Sequence, residues 1–101
     1  MDIDEIKDLV MKQAAEKGWG TKVEEINVME KLALIHSEVS EALQAYRYKK
    51  DEEFGMELGD IVTRILHLCG IMNIDIKSEI LKKLELNKNR EWNWEKMNEG
   101  N

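Results

Sequence analysis

Two stretches of the chain carry acids at a spacing that could do chemistry. "HSEVSEALQAYR" (36–47) places Glu38 and Glu41 three residues apart, and "EFGMELGDIVTR" (53–64) places Glu57 and Asp60 in the same way. Residues three apart on a helix are neighbours on one face, so each pair aims two carboxylates in one direction. In a chain with 21 acids such pairs mean little alone, and their company gives them weight. At about 100° per residue, Glu38 and Glu41 share a stripe with Lys31, Leu34 and Ala45. That stripe flanks an apolar arc of Val28, Leu32, Ile35, Val39, Ala42, Leu43 and Tyr46. Glu57 and Asp60 share a stripe with Arg64 and His67, at the edge of an arc formed by Phe54, Leu58, Ile61, Val62, Ile65, Leu68, Cys69 and Met72.

If the two helices are antiparallel neighbours, all four carboxylates converge on one small volume. Like charges brought together and stripped of water cost stability unless a cation or protons compensate. Ligands that are oxygen only suit Mg²⁺, which keeps waters and accepts substrate phosphates as further ligands. The spacing therefore points to a Mg²⁺ site, with Mn²⁺ able to substitute. The plain alternative is a solvated flank whose acids pair with nearby bases, and Asp60 and Arg64 are spaced for such an i,i+4 ion pair. A di-iron carboxylate bundle would need Glu-x-x-His, which the chain lacks.

The elements that must hold these residues are helices. Apolar residues make up 43% of the 101, enough for a core, and proline is absent. A chain of this length builds one domain, and its Leu, Ile, Glu and Lys favour an all-α fold, here a single unit over 1–101. Four helices are expected. The first runs from about Asp2 to Lys17 and is broken by "GWG" at 18–20. The second starts at "NVME", where Asn27 caps and Glu30 closes a capping box, and continues to about Tyr48 with "KKDEE" as its exit. The third spans about Glu53 to Met72, and the fourth starts after Asp75 and fades in the polar tail.

A net charge of −6 argues against nucleic acid as the main partner, because phosphate backbones demand clustered Lys and Arg. Cys69 lies in the apolar run "ILHLCGIM" and reads as a reduced core thiol. His36 and His67 read as hydrogen-bonded structural residues, since Mg²⁺ prefers oxygen. "MDIDEIKDLV" is acidic and amphipathic, unlike a signal peptide. No apolar run approaches the roughly 20 residues of a membrane span, so a cytoplasmic protein without membrane partners is expected.

Taken together, "EKLALIHSEVSEALQAYR", "EFGMELGDIVTRIL" and "KLELNKNR" resemble the MazG-like branch of the all-α nucleoside triphosphate pyrophosphohydrolases. That superfamily carries Glu-x-x-Glu, a spacer, then Glu-x-x-Asp, and the likeness covers about 27–90. It implies a four-helix bundle completed by oligomerisation, a homodimer first and a tetramer second. It implies hydrolysis of (deoxy)nucleoside triphosphates to the monophosphate and pyrophosphate, in housekeeping of the nucleotide pool. Carried over, Glu38, Glu41, Glu57 and Asp60 would bind Mg²⁺ and form the catalytic set, with Glu41 a candidate acceptor for the proton of the attacking water. Lys31 would reach a phosphate oxygen. Asn87 and Arg90 match polar positions that the family places near the triphosphate, with Lys83 and Lys88 as further candidates. Trp19, between two glycines, suits a stacking platform for a base. The chain departs from many relatives after "NKNR", where "EWNWEKMNEGN" replaces a proline and a basic His-Gly segment, and there Trp92 and Trp94 would pack the tail onto the body or a neighbour. Two rival readings are a phosphoribosyl-ATP pyrophosphohydrolase-like activity, which fits Trp19 and "NKNR" less well, and a non-catalytic helical interaction module.

Overall fold

The computed structural model describes residues 1–90; the segment 91–101, with Trp92 and Trp94, lies outside the described residues. The fold is all-α. α1 (Ile3–Lys17) starts with a complete capping box, in which the Asp2 carboxylate accepts from the Glu5 amide at 2.9 Å and Glu5 accepts from the Asp2 amide at 3.4 Å. It stops at Gly18, whose φ of 72° ends the helix in the left-handed region that glycine occupies without strain. One turn of 3₁₀ helix follows over Val23–Glu25, which the apolar periodicity does not predict because three residues are too few to show a period.

α2 (Val28–Arg47) is capped by Asn27, which accepts from the Glu30 amide at 3.0 Å. The return bond from the Asn27 amide to Glu30 is not made, so the expected box is half of one. α3 (Asp51–Met72) begins earlier than expected. "DEE" is not an exit loop but the first turn of α3, where Asp51, Glu52 and Glu53 meet the positive end of the helix dipole. The α2–α3 connection is thereby cut to Tyr48–Lys50, with Lys49 at a φ of 57°, and so short a joint makes the two helices an antiparallel hairpin. α4 (Ile76–Lys88) starts at Asp75, which accepts from the Ser78 amide at 3.1 Å.

The hairpin of α2 and α3 carries the most extensive packing, and α1 lies across α3. α1 comes so close at Gly70 that a Cβ there would overlap the Met11 side chain. Val10, Ala14, Ala42, Ala45, Leu66, Cys69 and Ile71 are the buried apolar residues, with His67 buried among them. Burial pushes the Cys69 thiol above its usual range, against a weaker opposite pull from Lys7, which suits the reduced core thiol expected there.

The apolar arcs expected to form the core are covered only in part. On α2, Val39 is 49% exposed, Leu43 51% and Tyr46 66%. Leu32 on α2 and Leu58 and Val62 on α3 are also exposed. The seam between α2 and α3 instead runs along the acid-bearing stripe, through half-buried Leu34 and Glu38 and buried Ala45. Periodicity identifies which face is apolar; it does not say what covers it. α4 buries nothing, and its Ile80, Leu81 and Leu84 are exposed. Among the described residues no helix is long and apolar enough to cross a membrane.

Gly20 is where the loop after α1 is fixed. Its φ is 96°, and a Cβ there would lie 2.7 Å from Ile26 Cγ2. Gly20→Ala therefore combines backbone strain with a steric clash and should lower unfolding stability by about 1–3 kcal/mol, read as a fall in the midpoint of urea denaturation with an unchanged slope.

Candidate metal centre

Glu38 and Glu41 project from α2 and Glu57 from α3, and one carboxylate oxygen of each lies within 4.8 Å of the others. Opposite walls of one helical hairpin thus supply one small site. Glu38 Oε2 and Glu57 Oε2 are both buried and have no hydrogen-bond partner. Buried polar atoms are rarely left unpaired, and a divalent cation would satisfy both. An all-carboxylate donor set of this kind fits a hard divalent cation.

The electrostatics agree. Burial pushes the Glu57 carboxyl above the usual carboxylate range, and its neighbours Glu38 and Glu41 push the same way. Glu38 is well enclosed, with a side chain 12% exposed, and it receives the one strong compensation. Arg64 Nε donates to Glu38 Oε1 at 3.1 Å, and Arg64 NH2 meets the same oxygen at 3.1 Å. The Asp60–Arg64 pair expected from i,i+4 spacing is not made; Arg64 crosses from α3 to α2. Asp60 is exposed and well hydrated, whereas Glu38 sits in a poorer dielectric where an opposite charge is worth more.

Asp60 does not join the three glutamates. It lines a cavity of about 360 Å³ with Trp19, Lys31, Thr63, Arg64 and His67. Trp19 presents its ring to His67 edge-on, with centroids 6.2 Å apart. His67 Nε2 lies 2.8 Å from the Gly20 carbonyl, and since a carbonyl only accepts, Nε2 carries the hydrogen. His67 is thus the structural residue expected, and its bond pins the loop that carries Trp19 onto α3. His36 is exposed on α2. A second cavity, about 330 Å³, lies at the turn end of the hairpin between Glu41, Gln44, Ala45, Tyr48, Lys50, Glu53 and Glu57. The carboxylates therefore stand between two hollows, with Glu41 and Glu57 in the wall of one and Glu38 tied through Arg64 to the wall of the other.

Of the residues singled out from sequence, Lys31 and Trp19 are brought to the site and the α4 residues are not. No residue of α4 lines either cavity. Lys83, Lys88 and Arg90 are exposed, while Asn87 is half-buried with its Oδ1 enclosed and unpartnered. Thr63, Gln44, Tyr48 and Lys50 were missed, because a cavity wall has no spacing signature. Arg64 was placed on the right stripe but with the wrong partner. Compared with protein-family models, with curated proteins and with solved structures, the chain matches none.

Because the folded-state pKa of Glu57 is raised, its protonation favours the fold below the ordinary carboxyl range, and that contribution is lost as pH rises through the raised value. Glu57→Gln should accordingly raise the melting temperature of the metal-free protein at pH 7. The gap from the parent should close as pH falls into the carboxyl range, as followed by circular dichroism melts in a chelator.

Proposed function

We propose that the chain is a Mg²⁺-dependent, MazG-like pyrophosphohydrolase that cleaves (deoxy)nucleoside triphosphates to the monophosphate and pyrophosphate. The observation that carries this reading is that Glu38 and Glu57, two members of the three-glutamate group, each keep one buried oxygen without a partner. Carboxylates with that shortage hold a divalent ion better than they hold each other. The resemblance in motif supplies the reaction class, and the two flanking cavities supply room for a nucleotide on either side of the acids.

In this reading Glu38, Glu41 and Glu57 hold the ion, which supplies phosphate polarisation and an acidified water. Asp60, one turn along α3 and facing the cavity with Lys31, is placed to act on the substrate side. Lys31 offsets phosphate charge there. Trp19 offers its face to a base, held by the His67–Gly20 bond. Glu41, the most exposed of the three glutamates, is the candidate proton acceptor. Nucleotide-pool housekeeping follows as the role.

The reading includes a homo-oligomer, a dimer first and a tetramer as its doubling. Leu32, Val39, Leu43 and Tyr46 form an uncovered arc on α2, and a run of exposed apolar side chains of this size marks a contact surface. A second copy would also bring in basic side chains of α4 such as Lys83 and Lys88, which line neither cavity of their own chain. The uncovered arc equally favours the reading as a non-catalytic interaction module, which leaves the orphaned oxygens without a purpose.

Two measurements test the proposal. With Mg²⁺, the parent should release pyrophosphate and the monophosphate from members of a panel of the common NTPs and dNTPs, and Glu38→Gln should lose nearly all of this. Absence of release across the panel together with no Mg²⁺-dependent rise in melting temperature would favour the interaction module. Leu43→Glu, on the uncovered arc, should shift the mass in light scattering from dimer or tetramer to monomer. An unchanged mass would remove the arc as the contact surface.

A further inference from the structure

Arg64 stands where the carboxylate group meets the cavity under Trp19, and the way it grips Glu38 is unusual. A guanidinium that serves only to neutralise a carboxylate tends to engage both oxygens, fork to fork. Here Nε and NH2 both fall on Oε1, at 3.1 Å each, and Oε2 is left enclosed and unpartnered. The carboxylate is held by one oxygen while the other is enclosed and unpaired, and Glu38 is a member of the three-glutamate group.

Resting on the cation reading above, we propose that Arg64 is a positioning residue: its end-on clasp of Oε1 fixes the plane of the Glu38 carboxylate and reserves Oε2 for the ion. Groups that orient a metal-bound carboxylate commonly change affinity by about 10–100-fold when lost. Charge alone works the other way, because a guanidinium beside a cation repels it. Lysine keeps that charge but as a point on a flexible stem, without the rigid two-nitrogen clasp. Arg64→Lys therefore separates geometry from charge.

Mn²⁺ binding to the full chain, followed by electron paramagnetic resonance of the free ion, tests this without reference to activity. Arg64→Lys should weaken Mn²⁺ binding by about 10-fold or more. The same substitution made in Glu38→Gln should bring no further loss, since the clasp then orients nothing. Equal affinity of the parent and Arg64→Lys would overturn the positioning role while leaving the cation site standing. An equal loss in both backgrounds would also overturn it, by showing that Arg64 acts through something other than Glu38. A parent that binds no Mn²⁺ would overturn both this inference and the cation reading beneath it.

Discussion

Three carboxylates set into the seam of a helical hairpin are the constraint around which this molecule is arranged. A seam between two helices normally gains from apolar contact, and here part of it is given over to groups that repel one another, of which Glu38 and Glu57 are half-buried. Glu38, Glu41 and Glu57 have one strong local compensation between them, the Arg64 guanidinium. The hairpin holds because its remaining seam residues are small and apolar, because α1 packs across α3 at Gly70, and because capping residues define where α1, α2 and α4 start. No side chain in the described part is large and wholly enclosed. So thin a core makes each of these supports count for more.

The same constraint divides α2 into two working faces. One stripe carries Lys31, Glu38, Glu41 and Ala45 toward α3 and the cavities; the neighbouring stripe leaves Leu32, Val39 and Leu43 exposed. In a single chain this leaves polar groups inside and apolar groups outside, the reverse of what burial favours. The reversal is removed if an ion sits among the carboxylates and another molecule covers the arc. Ligand and partner are then two halves of one stability argument, since anything that binds the folded chain and not the unfolded one adds to its stability.

Much of this was legible in the residues themselves. Asp2, Asn27 and Asp75 marked the helix starts because side-chain acceptors three residues ahead of an orphan amide have few other uses. Helical spacing grouped Glu38, Glu41 and Glu57, but it also put Asp60 with them, and the hairpin does not. What spacing could not reveal were contacts between elements. The choice of Arg64 between Asp60 and Glu38 depends on relative burial, which exists only after the hairpin closes. The start of α3 was read late because acids in a first turn look like a charged loop until the dipole they complement is formed. The Gly20–His67 bond joins residues 47 apart, and "GWG" showed only that the helix stops there, not that its loop is anchored. Which arc would remain uncovered was not legible at all, since alternation of polar and apolar residues is blind to the neighbour.

The alanines of α2 have a consequence of their own. Ala42 and Ala45 are buried, and each brings only a methyl group to the helix surface there. Packed helices lie about 8–10 Å apart according to the bulk of the residues at the contact, and methyl contacts set that distance near its lower end. Ala42 follows Glu41 directly in the chain, and Ala45 lies one turn beyond it. These two methyls act as a caliper, fixing how widely the jaws of the hairpin open at the carboxylates. If the glutamates hold an ion, its fit would then depend less on the acids than on two side chains that carry no charge.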